Sequence, residues 1–393
     1  MIWGDVKTSQ PPGGNRSGRL EGGGTVLEDG RITGRQFTTL IFLIIISVTV
    51  VQITPLVIGL AGQDSWLSVA VAVVIDGYVA AILHFMGLKY PGKTFIQYSD
   101  DILGRIPGKL VAFLFIQFFL FVACFSLRAM GEFLNTIMPE TPLAVFIITG
   151  ALVSAYVAKG GLEVLARMSE VIAPVYIIAI LALLAMLVPE MDFSQLFPLF
   201  QQGAGPVIMG SLLPASWFGV CIIMAMFMAY HHRPERTFVV KMTGVMLGAT
   251  VLFLLITANM AVFGAEYAPT FNYPIFVVAR QVSLADIVER VEIIWVAIWL
   301  FAGFITISSL HYVTALGTAQ LLGLRDYRPL VLPLGTVLAS FSHMIIPSAM
   351  FGALFTLRTF PLYALSIEGG LTTLLFVVAL VKMWATKPGG KRR

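Results

Sequence analysis

The chain has 393 residues, 58% of them hydrophobic and 12% charged, with a formal net charge of +4. So much apolar surface with so little charge excludes a soluble monomer and leaves a polytopic helical bundle. The surplus of Lys and Arg does not point to nucleic acid, because those residues stand at the ends of loops between apolar runs.

Residues 1–36 hold nine glycines, the Pro11-Pro12 pair, five basic and four acidic residues, and no apolar stretch before Phe37. A secretory signal needs a continuous apolar core of about 7–15 residues. The expectation is therefore a disordered cytoplasmic tail, with a partner-docking segment as the alternative. Ten apolar runs follow, at about 37–60, 67–87, 110–136, 143–158, 162–188, 206–230, 242–263, 291–323, 329–347 and 361–383. A hydrocarbon core of ~30 Å takes about 20 helical residues to cross. The loops alternate in charge. Lys and Arg number five in 1–36, none in 61–66, four in 88–109, none in 137–142, two in 158–168 and none in 188–205. Three follow in 231–241, two in 264–290, two in 324–329, one in 347–360 and five from Lys382 onward. Positive loops stay inside, which predicts ten spans with both termini cytoplasmic. The organisation read from this pattern is a tail over 1–36, a membrane domain over 37–386 and a basic tail over 387–393.

Five spans are an odd number, so the second five can form an inverted repeat of the first. Each half opens with a helix that carries an internal proline, Pro55 in the first span and Pro214 in the sixth. A mid-helix proline removes a hydrogen bond and clashes with the preceding turn, and in lipid the freed groups need partners inside the protein. Thr49, Gln52 and Thr54 crowd the first break; Ser211, Ala215, Ser216, Trp217 and Phe218 surround the second. Paired breaks at matching positions point to a midplane binding site. The plainer reading is a kink satisfied by the nearby hydroxyls.

In the 88–109 loop, Phe95, Tyr98, Ile102 and Leu103 recur at helical spacing after Pro91-Gly92, which predicts a short interfacial helix. In 264–290 the run Ala285-Asp286-Ile287-Val288-Glu289-Arg290-Val291-Glu292 fits an amphipathic helix over the outer mouth, as a cover or a lid. Asp76 lies mid-span, where a charge is costly, so it is either a proton or ion site or a buried neutral acid bonded to a neighbouring helix. Arg128 and Glu132, four apart on one helix face, pair with each other or serve gating and coupling. Glu163, Arg167 and Glu170 read as an interfacial ion network, and Glu368 has no assigned role. Cys124 and Cys221 lie in apolar spans as small buried hydrophobes, and His231-His232 lack a third metal ligand. No nucleophile–base set, phosphate-cradling loop or metal spacing occurs, so no enzyme, cofactor or metal is expected.

Several stretches carry more specific text. Ala61-Gly62-Gln63-Asp64-Ser65-Trp66-Leu67-Ser68, Tyr90-Pro91-Gly92-Lys93-Thr94, Arg128-Ala129-Met130-Gly131-Glu132-Phe133, Gly161-Leu162-Glu163-Val164-Leu165-Ala166-Arg167 and Leu324-Arg325-Asp326-Tyr327-Arg328-Pro329-Leu330 occur in order. Over about residues 31–386 the chain resembles the spore germination permease family, the B subunits of GerA-type germinant receptors. That family lies within the amino acid–polyamine–organocation superfamily. The resemblance implies an all-α LeuT-like bundle in which the first, third, sixth and eighth helices surround a small-ligand pocket. By position it carries over Phe118 and Val122 from the third helix and Thr306 and Leu310 from the eighth, beside Thr49, Gln52, Thr54, Pro55, Pro214, Ala215, Ser216, Trp217 and Phe218. Many relatives have glycines just before the first proline, where this chain has Val48 and Val50. A Glu often follows Phe-x-Gly in the sixth helix, where this chain has Val220, Cys221 and Ile222. The implied partners are a small germinant, most simply an L-amino acid, an A-type membrane subunit, a C-type lipoprotein and membrane lipid. The implied place is the spore inner membrane. Two other classes remain open: a proton-coupled amino-acid or polyamine transporter using Asp76, and a structural or channel subunit that binds nothing.

Overall fold

The computed structural model describes residues 28, 30–200, 203–271, 273, 276–277 and 291–385. Every regular element among the described residues is helical. Seven helical stretches are long and apolar enough to cross a membrane, and Gly34–Val48 and Leu143–Lys159 are shorter apolar helices. Of the tail expected over residues 1–36, residues 1–27 and 29 lie outside the described residues, as do residues 285–290 of the helix expected over 285–292 and the basic tail from 387.

The first helix, α1 (Gly34–Val48), opens three residues earlier than its apolar run because Thr33 and Gln36 form a capping box. Every residue from Leu40 to Val48 is buried. A helix that is apolar all round belongs at the centre of a bundle, and α1 packs against three later helices. A π-helical turn over Thr49–Ile53 interrupts it, and α2 (Thr54–Ala61) carries Pro55 in its first turn. The positive φ of Gly62 then turns the chain into α3 (Ser65–Lys89). The buried carboxylate of Asp64 accepts the Phe200 N–H at 2.8 Å, tying this corner to the loop before the sixth span.

After the Pro91-Gly92 turn comes α4 (Phe95–Leu103), capped by Thr94 and Gln97. Its Phe95, Tyr98 and Ile102 are buried against α5 (Arg105–Ile137), as the helical spacing predicted. Next are α6 (Leu143–Lys159) and α7 (Gly161–Leu187). Glu163 bonds Arg167 at their junction, and Glu170 pairs with Arg35 at 3.1 Å.

The sixth span begins with α8 (Ala204–Phe218) and continues as 3₁₀ turns over Gly219–Ile223 and Met228–Tyr230 around the single turn α9 (Met224–Phe227). Its departure from α geometry therefore starts five residues beyond Pro214. It is the most enclosed span, with 89% of its apolar window inside the protein, against 28% for Gly161–Glu190 and for Met350–Ala385. That contrast puts α8 and α9 in the interior and the latter two at the rim.

α10 (Thr237–Tyr267) crosses α1 closely. Cβ atoms at Gly244 and Gly248 would meet the Thr38 carbonyl oxygen and Ile45 at 2.7 Å, so this Gly-x-x-x-Gly stripe lets the two backbones touch. Because α10 starts at Thr237, Lys241 is not a loop residue as its place in the 231–241 count implied; it is buried in the bundle. The chain ends with α11 (Val291–Leu322), α12 (Arg328–Met344), α13 (Ala349–Leu354), α14 (Phe360–Leu365) and α15 (Thr372–Ala385). Two π turns, Phe355–Thr359 and Ser366–Leu371, interrupt the last three. Val74, Leu152, Tyr156, Val171, Ile178 and Leu374 expose apolar side chains on the rim, the surface a lipid phase requires.

Candidate ligand site at the broken first span

The π turn in the first span leaves backbone groups that a membrane-buried protein must satisfy. Part of the answer comes from α11. The Trp299 indole N–H donates to the Ser47 carbonyl at 2.8 Å, and the Ser47 hydroxyl lies 2.8 Å from that of Thr306. Thr49 and Thr54 bond carbonyls of their own strand of helix, Ile45 at 2.7 Å and Val50 at 3.3 Å. These two threonines therefore behave as kink-satisfying hydroxyls.

Between α1, α5 and α11 lies a cavity of about 20 Å³. Ser47, Gln52, Ser126 and Thr306 give it a polar side, and Val48, Met130, Trp299 and Ile307 an apolar one, with Gly303 between. Two of its polar atoms, Gln52 Oε1 and Ser126 Oγ, are buried and have no hydrogen-bond partner. Such a volume holds about one water molecule. A second cavity of about 120 Å³ sits beyond it, lined by Gln52, Pro55, Leu56, Phe125, Glu132, Tyr273 and Thr356 among others. Gln52 borders both cavities.

Arg128 and Glu132 pair at 2.8 Å, and Arg128 also donates to the His343 carbonyl at 2.7 Å. One side chain thus holds the wall of the larger cavity to the end of α12.

The structure brings Gln52, Pro55, Glu132 and Thr306 to these cavities. Phe118, Val122 and Leu310 are buried one to two turns away on the same helices, with Phe118 packed 5.7 Å from the Tyr363 ring. Pro214, Ala215, Ser216, Trp217 and Phe218 are buried and border neither cavity. Ser216 bonds the Leu213 carbonyl, and Trp217 stacks on Phe360 at 4.5 Å and meets Phe125 at 6.0 Å. Sequence reasoning missed Ser47, Ser126, Trp299 and Gly303. A signal existed: Phe118, Val122 and Ser126 are spaced by four, and Trp299, Gly303 and Thr306 share one face of α11.

Asp76 is fully inside the protein and forms an ion pair with Lys241 of α10. His231 is buried, 2.8 Å from the Thr237 hydroxyl, and Cys124 and Cys221 are free and buried. Among the described residues no group of three metal-ligating side chains exists.

A helical bundle with interrupted spans around an internal cavity is transporter-like architecture, and solved structures agree. A nucleobase-cation-symport-1 family transporter, Mhp1 with bromovinylhydantoin bound, superposes with a TM-score of 0.64 at 14% identity, covering 90% of this chain and 79% of its own. MhsT in complex with L-phenylalanine gives 0.63 at 12% identity, covering 89% of each chain. Such low identities speak for the fold alone. Residues 31–349 match the family described as spore germination protein, and the chain belongs to that family. Spore germination protein YndE of Bacillus subtilis is 27% identical over 320 residues, 80% of this chain and 87% of YndE. Spore germination protein KB of the same organism is 25% identical over 362 residues, 91% of this chain and 96% of KB. Spore germination protein XB of Bacillus anthracis is 26% identical over 267 residues, 66% and 72% of the two chains. The protein is thus an integral membrane protein of permease type and not an enzyme.

Proposed function

We propose that the chain is the membrane subunit of a germinant receptor. In this reading a small germinant, an L-amino acid in the simplest case, binds at the break in the first span and triggers germination together with an A-type membrane subunit and a C-type lipoprotein. In this reading it crosses the spore inner membrane ten times, in two inverted halves of five with both termini cytoplasmic. The observation that supports the reading is the position of Gln52, which lines both cavities. An unpaired amide oxygen and an unpaired Ser126 hydroxyl face a cavity with one polar and one apolar side, which suits a small zwitterion with a short apolar side chain.

The inner cavity alone is too small for such a ligand, so binding requires Gln52 to move and join it to the outer cavity. Ligand affinity for that joined state would shift the conformational equilibrium that partner subunits read. The test is a thermal-shift survey of the purified protein, alone and with its partners, over a panel of amino acids. A selective rise in Tm that Gln52→Leu removes supports the reading; no ligand-dependent shift in either preparation removes its support. Proteoliposome uptake that collapses without a proton gradient would instead favour an active transporter.

A further inference from the structure

The last span contains a charged group that the ligand cavities do not use. Glu368 lies in the π turn Ser366–Leu371 and is 0% exposed, yet neither carboxylate oxygen has a hydrogen-bond partner. Its neighbours come from several elements. Asp76 of α3 and Lys241 of α10 lie within electrostatic reach, as does Cys221 of the 3₁₀ stretch, while Tyr363 of α14 faces Glu368 and donates to Gln117 of α5 at 2.8 Å. The first two turns of α15, residues 372–379, contain no titratable side chain. Asp76 and Lys241 are each 1% exposed and pair with each other, so their charges cancel. The Glu368 carboxyl group is left over, buried and unbonded. Isolated carboxylates in such places are neutralised, paired or bound to a cation.

We propose that Glu368 is a membrane-embedded proton-binding site, separate from the ligand cavities, and that it is held against the broken sixth span. One proton converts the carboxylate to the acid, and no other bond changes. A metal cation fits the same place poorly, because the Lys241 ammonium already stands nearby and the carboxylate is the one unpaired anion there. The contact with the sixth span is direct. A Cβ placed on Gly219, the first residue of the 3₁₀ stretch, would collide with the Glu368 carboxylate. Only glycine leaves room for the acid at that point, two residues after Trp217. Gain or loss of the proton therefore acts on the segment where the sixth span leaves α geometry.

The experiment needs no germinant, so its outcome is independent of the receptor reading. Infrared spectra of the full chain in lipid nanodiscs are recorded at neutral pH in H₂O and D₂O. A protonated-carboxyl C=O band, sensitive to deuteration, is expected in the wild type and absent in Glu368→Gln. Gly219→Ala should shift that band by pushing on the acid. Where Glu368→Gln does not fold, ¹³C-labelled glutamate in the wild type identifies the same band by its isotope shift. No glutamate-derived acid band at neutral pH overturns the proposal. So does a rise in Tm with sodium or potassium that Glu368→Gln abolishes, since that would make the site a cation site.

Discussion

At the residue scale, the inner cavity is bounded by side chains whose replacement separates binding from folding. A methyl group on Gly303 would enter the cavity and meet the Met130 sulfur at 3.3 Å, a flexible neighbour that can yield. Gly303→Ala is predicted to leave the purified protein folded and to weaken germinant binding by about tenfold or more, ~1.4 kcal/mol, as read by equilibrium titration. Arg128 behaves differently because it holds two partners at once. Arg128→Met leaves Glu132 without its cation and the His343 carbonyl without its donor, a loss of about 2 kcal/mol for a partly buried pair. Adding Glu132→Gln should recover part of the lost Tm.

His231 gives a pH signature at the same scale. Burial, and then its neighbour His232, hold its imidazole below the usual histidine range, while Glu235 pulls the other way. The folded chain therefore binds fewer protons at this position than the unfolded chain. Stability from this site is complete above the ordinary value of about 6.5 and is lost as pH falls below it. Thermal unfolding between pH 7 and pH 5 should show Tm falling with acidification, and His231→Asn should reduce the slope.

At the element scale, the ion pair between α3 and α10 is the strongest local dependence. Lys241→Met strands Asp76 in the interior, and breaking such a pair costs about 3–5 kcal/mol. Lys241→Met with Asp76→Asn should be more stable than Lys241→Met alone, measured by Tm in one detergent. This pairing was half legible. Asp76 stood out as a charge in an apolar run, but Lys241 sits just before its run, where a cytoplasmic count absorbs it. Only the helix start at Thr237 brings it inside. The first-span break could be read from Pro55, because proline acts locally. The sixth-span departure at Gly219 could not be placed from Pro214, which lies five residues earlier, and the Glu368 carboxylate that stands against Gly219 comes from another part of the chain. The α4 helix was readable from the apolar spacing after the Pro91-Gly92 turn.

At the scale of the whole molecule, hydropathy and loop charge made the membrane class and the positions of most apolar helices plain, because every crossing obeys the same length and charge rules. The cavity position was less accessible. The carried-over face of α5 through Phe118 and Val122 continues one turn to Ser126, and only the packing of α11 against both α1 and α5 selects that level. Gln52 lines both cavities, the smaller and the larger. Opening them into one chamber is the motion by which a ligand could gain differential affinity for one state.

The direct test of that claim is titration calorimetry of the full chain in nanodiscs with the amino acid that gives the largest thermal shift, on wild type, Gln52→Leu and Gly303→Ala. Saturable binding in the wild type, lost in Gln52→Leu and weakened about tenfold in Gly303→Ala, is the predicted result. Equal binding by all three folded proteins would contradict it and move the ligand away from the first-span break.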